Sequence, residues 1–158
     1  MKLKGMAWAL LLFTLGSCSS EPLEESPEPI AEAANVVEVE EELMGLVNGH
    51  RISIGQPVLK FSAVAYEYAN AHTDYMISKG SLSHDNFSSR ASRISSEANA
   101  AQVAENVAKD YANAAGALQG WLNSTNHKKT MEGDFTDTAI SVKRDPNGNL
   151  YFTQLFYR

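Results

Sequence analysis

Three polar side chains, far apart in the chain, are of types that could move a proton or hold a metal ion. His84 sits in Leu82-Ser83-His84-Asp85, and His127 in Ser124-Thr125-Asn126-His127-Lys128. Both lie in polar, loop-like surroundings. An imidazole titrates near neutrality and is a common metal ligand. Glu105 is the third, in Val103-Ala104-Glu105-Asn106-Val107-Ala108, where its neighbours are nearly all apolar. A carboxylate buried in such a stretch must be paired, hydrogen-bonded or shifted in pKa. Glu105 therefore either anchors structure or faces a site. No HExxH or CxxC spacing joins these residues, so any convergence must come from the fold. Ser124 stands three before His127 and could share a helical turn with it. It equally reads as a polar residue ending a helix, and no nucleophile elbow accompanies it. The remaining two of the four histidines, His50 and His72, fall on amphipathic helix faces and read as packed, hydrogen-bonded residues.

The elements that must position these groups are visible in the patterning. Val39, Leu43, Leu46, Val47, His50 and Ile54 recur at three- and four-residue spacing, which predicts a helix from Glu38 to about Ile54. Gly55-Gln56-Pro57 ends it. Ser62 can cap a second helix, with Ala65, Tyr68, Ala69, His72 and Met76 on one face and Gly80 as its stop. A loop follows to Phe87, then a short helix from Ser88 to about Glu97. Gln102 to Ala108 alternates weakly and predicts a strand; Ala112 to about Asn123 predicts another helix. Thr138 to Arg144 and Leu150 to Tyr157 alternate clearly, joined by Asp145-Pro146-Asn147-Gly148-Asn149. Asn-Gly predicts a hairpin turn with both residues at positive φ. Helices before strands argue against a repeating βαβ unit, so the class is α+β, with helices packed on a small antiparallel sheet.

Charge and cysteine usage narrow the setting. The formal net charge is −6 with no basic stripe, which excludes nucleic acid as a partner. Nine of the 19 acidic residues lie between Glu21 and Glu42, so the charge belongs mainly to one flank. The single cysteine, Cys18, leaves no internal disulfide. Lys2 and Lys4, the apolar run Met6 to Leu15 and the small residues after it have the layout of a signal peptide. Leu15-Gly16-Ser17-Cys18 matches the bacterial lipobox, in which the cysteine is lipidated and cleavage falls before it. Residues 1–17 are thus expected to be a lipoprotein signal peptide. Residues 18–37, rich in Glu and Pro, are expected to be the lipidated Cys18 and a disordered tether. The folded domain is expected over 38–158. The address is extracytoplasmic, with the chain held to a bacterial membrane through Cys18. In a Gram-negative cell that means the outer membrane or cell surface.

Several segments in order carry a family resemblance. Leu46-Val47-Asn48-Gly49-His50-Arg51 followed by Gly55 and Leu59 resembles the opening helix of CAP domains (cysteine-rich secretory proteins, antigen 5, pathogenesis-related 1). Ala71-His72-Thr73-Asp74-Tyr75-Met76 resembles the second helix of bacterial members. Leu82-Ser83-His84 resembles the segment with the first cavity histidine, and Ala104-Glu105-Asn106-Val107-Ala108 is similar to the Glu-Asn motif. Trp121-Leu122-Asn123-Ser124 with His127, and Tyr151-Phe152-Thr153-Gln154-Leu155-Phe156, match the later segments. The resemblance spans about residues 39–158. It implies a three-layer α-β-α sandwich and a cavity formed by His84, Glu105, Ser124 and His127. In animal relatives two histidines and two glutamates line that cavity, sometimes around Zn²⁺. Here Ser124 stands where the second glutamate would be, which removes a charged ligand. His84 and His127 are then the candidate zinc ligands. The function expected is a non-catalytic binding module for a small-molecule, lipid, peptide or protein partner in the envelope. The alternative is a metal-assisted hydrolase with Glu105 as general base.

Overall fold

The structure is a computed structural model that describes residues 29–158. The signal-peptide run and Cys18 lie outside the described residues. Helix α1, Val37–Ser53, buries Leu43, Val47 and Arg51, and places Glu38 and Glu40 in its first turn, where the helix dipole favours acid. A two-residue strand β1, Lys60–Phe61, precedes helix α2, Ala63–Lys79. The Ser62 hydroxyl caps α2 by accepting from the Ala65 N–H, and Gly80 at φ 66° ends it. Helix α3 is Phe87–Ala98, strand β2 Val103–Lys109, helix α4 Ala114–Asn123 and helix α5 Thr125–Met131. The hairpin of β3, Asp137–Arg144, and β4, Leu150–Tyr157, closes the chain.

The strands form one four-stranded sheet in the order β1-β3-β4-β2. The three long strands are antiparallel, as alternation predicts; β1 adds a short parallel pair, Lys60 opposite Asp137. Two residues carry no alternation, so β1 is invisible in the sequence. Side chains of β3 and β4 point alternately to two helical layers. Ile140, Val142, Phe152 and Phe156 pack with Leu43 and Val47 of α1 and Trp121 of α4. Ala139 and Leu155 pack with Ala65 and Ala69 of α2 and Ile94 of α3. The result is the expected α-β-α sandwich. Each fully buried leucine or phenylalanine stabilises the fold by about 1.5–3 kcal/mol. With one cysteine in the chain, this packing takes the place of internal disulfides.

Three local findings differ from the sequence reading. Residues 125–131 are a helix rather than loop, because the polar run Thr-Asn-His-Lys-Lys-Thr hides its period and only Met131 is buried. The last residues of the acidic flank are bonded to the domain: Val36 N–H donates to Val142 O (2.8 Å), and Ala33 N–H to Asp74 Oδ1 (2.8 Å). Composition cannot show such contacts. The hairpin turn is also of another type. Only Gly148 has positive φ, 91°, while Asn147 does not. Gly148 N–H donates to Asp145 O (2.9 Å), so Asp145 to Gly148 is a type I turn with Pro146 in its favoured second place. Gly148 then takes the left-handed position after the turn. Gly148→Val is expected to cost about 1–3 kcal/mol through backbone strain. A Cβ there meets nothing within 4 Å, so an unchanged denaturation midpoint would contradict that account directly.

Candidate functional site

Strand β2 ends the sheet on the side away from β1, and its alternation divides the candidate residues between two faces. Glu105 lies opposite Leu155, on the α2–α3 side; Asn106 lies opposite Gln154 and points the other way. The Glu105 side chain is only 1% exposed. Arg90, one turn into α3, reaches it with one edge of the guanidinium. Nε donates to Oε2 (3.0 Å), and Nη2 donates to Oε1 (2.9 Å) and Oε2 (2.8 Å). Nη1 donates to the Asp85 carbonyl (2.8 Å), which holds the arginine against the preceding loop. His84 Nδ1 donates to Glu105 Oε1 at 2.8 Å. His72 Nε2 donates to Ser83 O (2.7 Å) and lies 3.7 Å from the same Glu105 oxygen.

These contacts fix the histidines differently. The bond to Glu105 raises the His84 pKa, outweighing partial desolvation. Burial lowers the His72 pKa despite the neighbouring carboxylate. His127 is also lowered, first by burial and then by the charge of His84. His72 and His127 therefore favour the neutral imidazole, and His84 favours the cation.

His127 belongs to the other half of the site. Helix α5 carries it under β2, where its carbonyl accepts from Asn106 Nδ2 (3.0 Å). Its ring Nδ1 is buried without a hydrogen-bond partner, and so is Asn106 Oδ1. Ser124, at the junction of α4 and α5, makes no capping bond with its hydroxyl. A cleft of about 220 Å³ opens here, walled by Leu82, Val107, Trp121, Ser124 and His127. The Trp121 indole donates to Val107 O (3.2 Å) and forms the cleft's inner end.

The structure thus joins His84 to Glu105 and sets Ser124 beside His127. The two pairs meet along β2: the charge of His84 is felt at His127, and Leu82 of the His84 loop lines the His127 cleft. His50 is paired with Glu132 (2.9 Å), away from both. Sequence reasoning missed Arg90 and treated His72 as packing alone. Arg90 had a usable signal: Glu105 needed a partner, and only Arg90 and Arg93 are cationic between it and His84.

The donor set can be tested against a zinc ion. Both Glu105 oxygens are engaged by a guanidinium, whose charge would repel a second cation beside it. Among the described residues no three His, Cys, Asp or Glu side chains gather to hold a metal. His84 and His127 in this arrangement do not fit a firmly held divalent ion.

The model of the cysteine-rich secretory protein family, CAP, matches residues 44–156. The membrane protein YlbC of Bacillus subtilis is 28% identical over 123 residues, 75% of this chain. The aligned region is 34% of that protein, so the chain spans about a third of its relative's length. An extracellular protein containing an SCP domain from Bacillus anthracis superposes with TM-score 0.66 at 25% identity, over 77% of this chain and 41% of that one. An outer surface protein of Borrelia burgdorferi gives TM-score 0.72 at 16% identity, over 80% of this chain and 96% of that one. A cysteine-rich secretory protein of Staphylococcus aureus gives 0.65 at 17%, over 82% and 40%. The last two show likeness of fold alone. Among the described residues no helix is long and apolar enough to cross a membrane.

Proposed function

Because the chain belongs to the cysteine-rich secretory protein family, we propose that it is an extracytoplasmic binding module, tethered by a lipid on Cys18, that holds a ligand without converting it. One observation carries this reading: the Arg90 clamp on Glu105. A general base needs a free lone pair within reach of a substrate proton. Glu105 has a cation on both oxygens and a side chain with almost no exposed surface, so the rival reading, metal-assisted hydrolysis with Glu105 as base, would require the clamp to open. Beside the clamp stands a concave cleft with an apolar wall, Leu82 and Trp121, and few polar points, Ser124 and His127. That is the form of a small binding site. The partner class is a lipid, peptide or envelope component. Membrane attachment rests on Leu15-Gly16-Ser17-Cys18 behind the apolar run. Two or more acyl chains anchor firmly where one would not.

The test is mass spectrometry and metal analysis of the full chain, purified in mild detergent without chelator. A co-purifying ligand that leaves unaltered, and is lost in His127→Ala, supports the reading. Turnover of that ligand, abolished in Glu105→Gln, would replace it with the hydrolase. Cys18→Ser is expected to move the protein from the membrane to the soluble fraction. Retention of that variant on membranes would remove the anchor.

A further inference from the structure

Strand β2 is an edge of the sheet. In this strand the even residues face β4: Gln102 exchanges bonds with Arg158 at one end, and Asp110 N–H donates to Leu150 O (3.1 Å) at the other. By alternation the amides and carbonyls of Val103, Glu105 and Val107 point outward, away from the sheet. Val107 O is taken by the Trp121 indole. The backbone groups of Val103 and Glu105 have no partner among the hydrogen bonds of the described residues. Nor are they covered. Glu105 as a whole is partly exposed while its side chain is 1% exposed, so the exposed surface is its backbone.

We propose that this edge binds an extended peptide, which adds to β2 as a further strand alongside Val103 to Val107. The inference rests on the binding-module reading and names the ligand class for it. An outward row of N–H and C=O groups two residues apart matches an extended backbone and no other common ligand. The row spans about 13 Å at roughly 3.3 Å per residue, room for four or five residues. The indole on Val107 O closes it at one end. Alternate peptide side chains would fall to the two sides of the strand. On one side lie His84 and the Arg90-Glu105 pair. On the other lies the 220 Å³ cleft, large enough for one side chain, with Leu82 and Trp121 as its apolar wall. His127 lines that cleft, and its Nδ1 is buried without a hydrogen-bond partner.

The probe is a position-scanning library of acetylated, amidated hexapeptides, titrated against the full chain in mild detergent. The best binder is then N-methylated at each backbone position in turn. We expect losses of about tenfold at every second residue, where the peptide N–H faces β2, and little change between. Val107→Pro removes an outward amide and no ladder bond, but it also replaces a buried side chain packed with Met76 and Tyr151; a lower unfolding temperature is expected, and at a temperature where the variant is still folded it should bind the same peptide about tenfold more weakly. If that variant unfolds, the N-methyl scan alone decides. Absence of any binder at millimolar peptide, or methylation losses without the two-residue alternation, overturns the proposal. So does a concentration-dependent dimer dispersed by Val107→Pro, which would assign the edge to a second copy. A non-peptide ligand found on the purified protein would remove the peptide but keep the binding module. Cleavage of library peptides that depends on Glu105 would remove the module itself.

Discussion

Arg90→Ala should lower the unfolding free energy by about 3–5 kcal/mol, the usual cost of leaving one member of a buried ion pair without its partner. The carboxylate left behind is 1% exposed and keeps only His84 as a close donor. Arg90 also leaves the Asp85 carbonyl unbonded, which loosens the loop bearing His84. Equilibrium denaturation measures the loss. The double variant Arg90→Ala, Glu105→Gln should recover a large part of it, because the charge is then gone. A loss under about 1 kcal/mol in the single variant would mean the clamp is not desolvated, and Glu105 would again be open to a catalytic role. The pH profile carries a second signature. The His84 pKa is raised, so its contribution is full below the unfolded value of about 6.5 and fades as pH rises through the folded value. His72 and His127 are lowered, so their cost appears as pH falls below about 6.5 toward their folded values. Stability should therefore be greatest near that pH. Glu105→Gln should flatten the alkaline limb, and His72→Asn should flatten part of the acid one.

This clamp also shows where sequence reading stops. Helical spacing and a serine cap locate α2 within a residue or two, since Ser62, its apolar face and Gly80 are local signals. Alternation locates β3 and β4 for the same reason. Lone-acid reasoning required a partner for Glu105. It could not say that Arg90 lies against it, because that pairing depends on α3 folding back over β2. That His127 meets Asn106 rather than Glu105 is likewise a matter of parity: adjacent residues of β2 face opposite layers. His84 and His127 were readable as residue types, but not which side of the sheet each would occupy. Helix α5 was hidden because six of its seven residues are polar or charged.

Asp74→Ala is the second large expected effect, again about 3–5 kcal/mol. Asp74 Oδ2 and Lys143 Nζ meet at 2.5 Å between α2 and β3, with side chains 7% and 4% exposed. Without the carboxylate a lysine ammonium stays buried with no counter-charge. The same substitution cuts a second tie, because Asp74 Oδ1 accepts the Ala33 N–H at 2.8 Å. Asn35, which bridges to Lys143, donates to both Glu40 (2.6 Å) and Asn70 (2.6 Å), so one polar network binds the end of the acidic flank to the sheet. The two roles of Asp74 separate in the double variant Asp74→Ala, Lys143→Met. Removing both charges should restore most of the stability, as apolar replacement of buried pairs commonly does. It should not restore hydrogen-exchange protection at Ala33, whose acceptor remains absent. Recovery of both together would mean that Ala33 is held by packing rather than by the carboxylate. Persistence of both losses would mean that Lys143 is needed for more than neutralising Asp74. If the proposed lipid anchor on Cys18 holds, the distinction bears on function, because a pull along the flank would first meet the described fold at this network, on the β3 side of the sheet. The candidate site lies at β2, the opposite edge. On that reading the proposed binding edge would face away from the strand that takes the load.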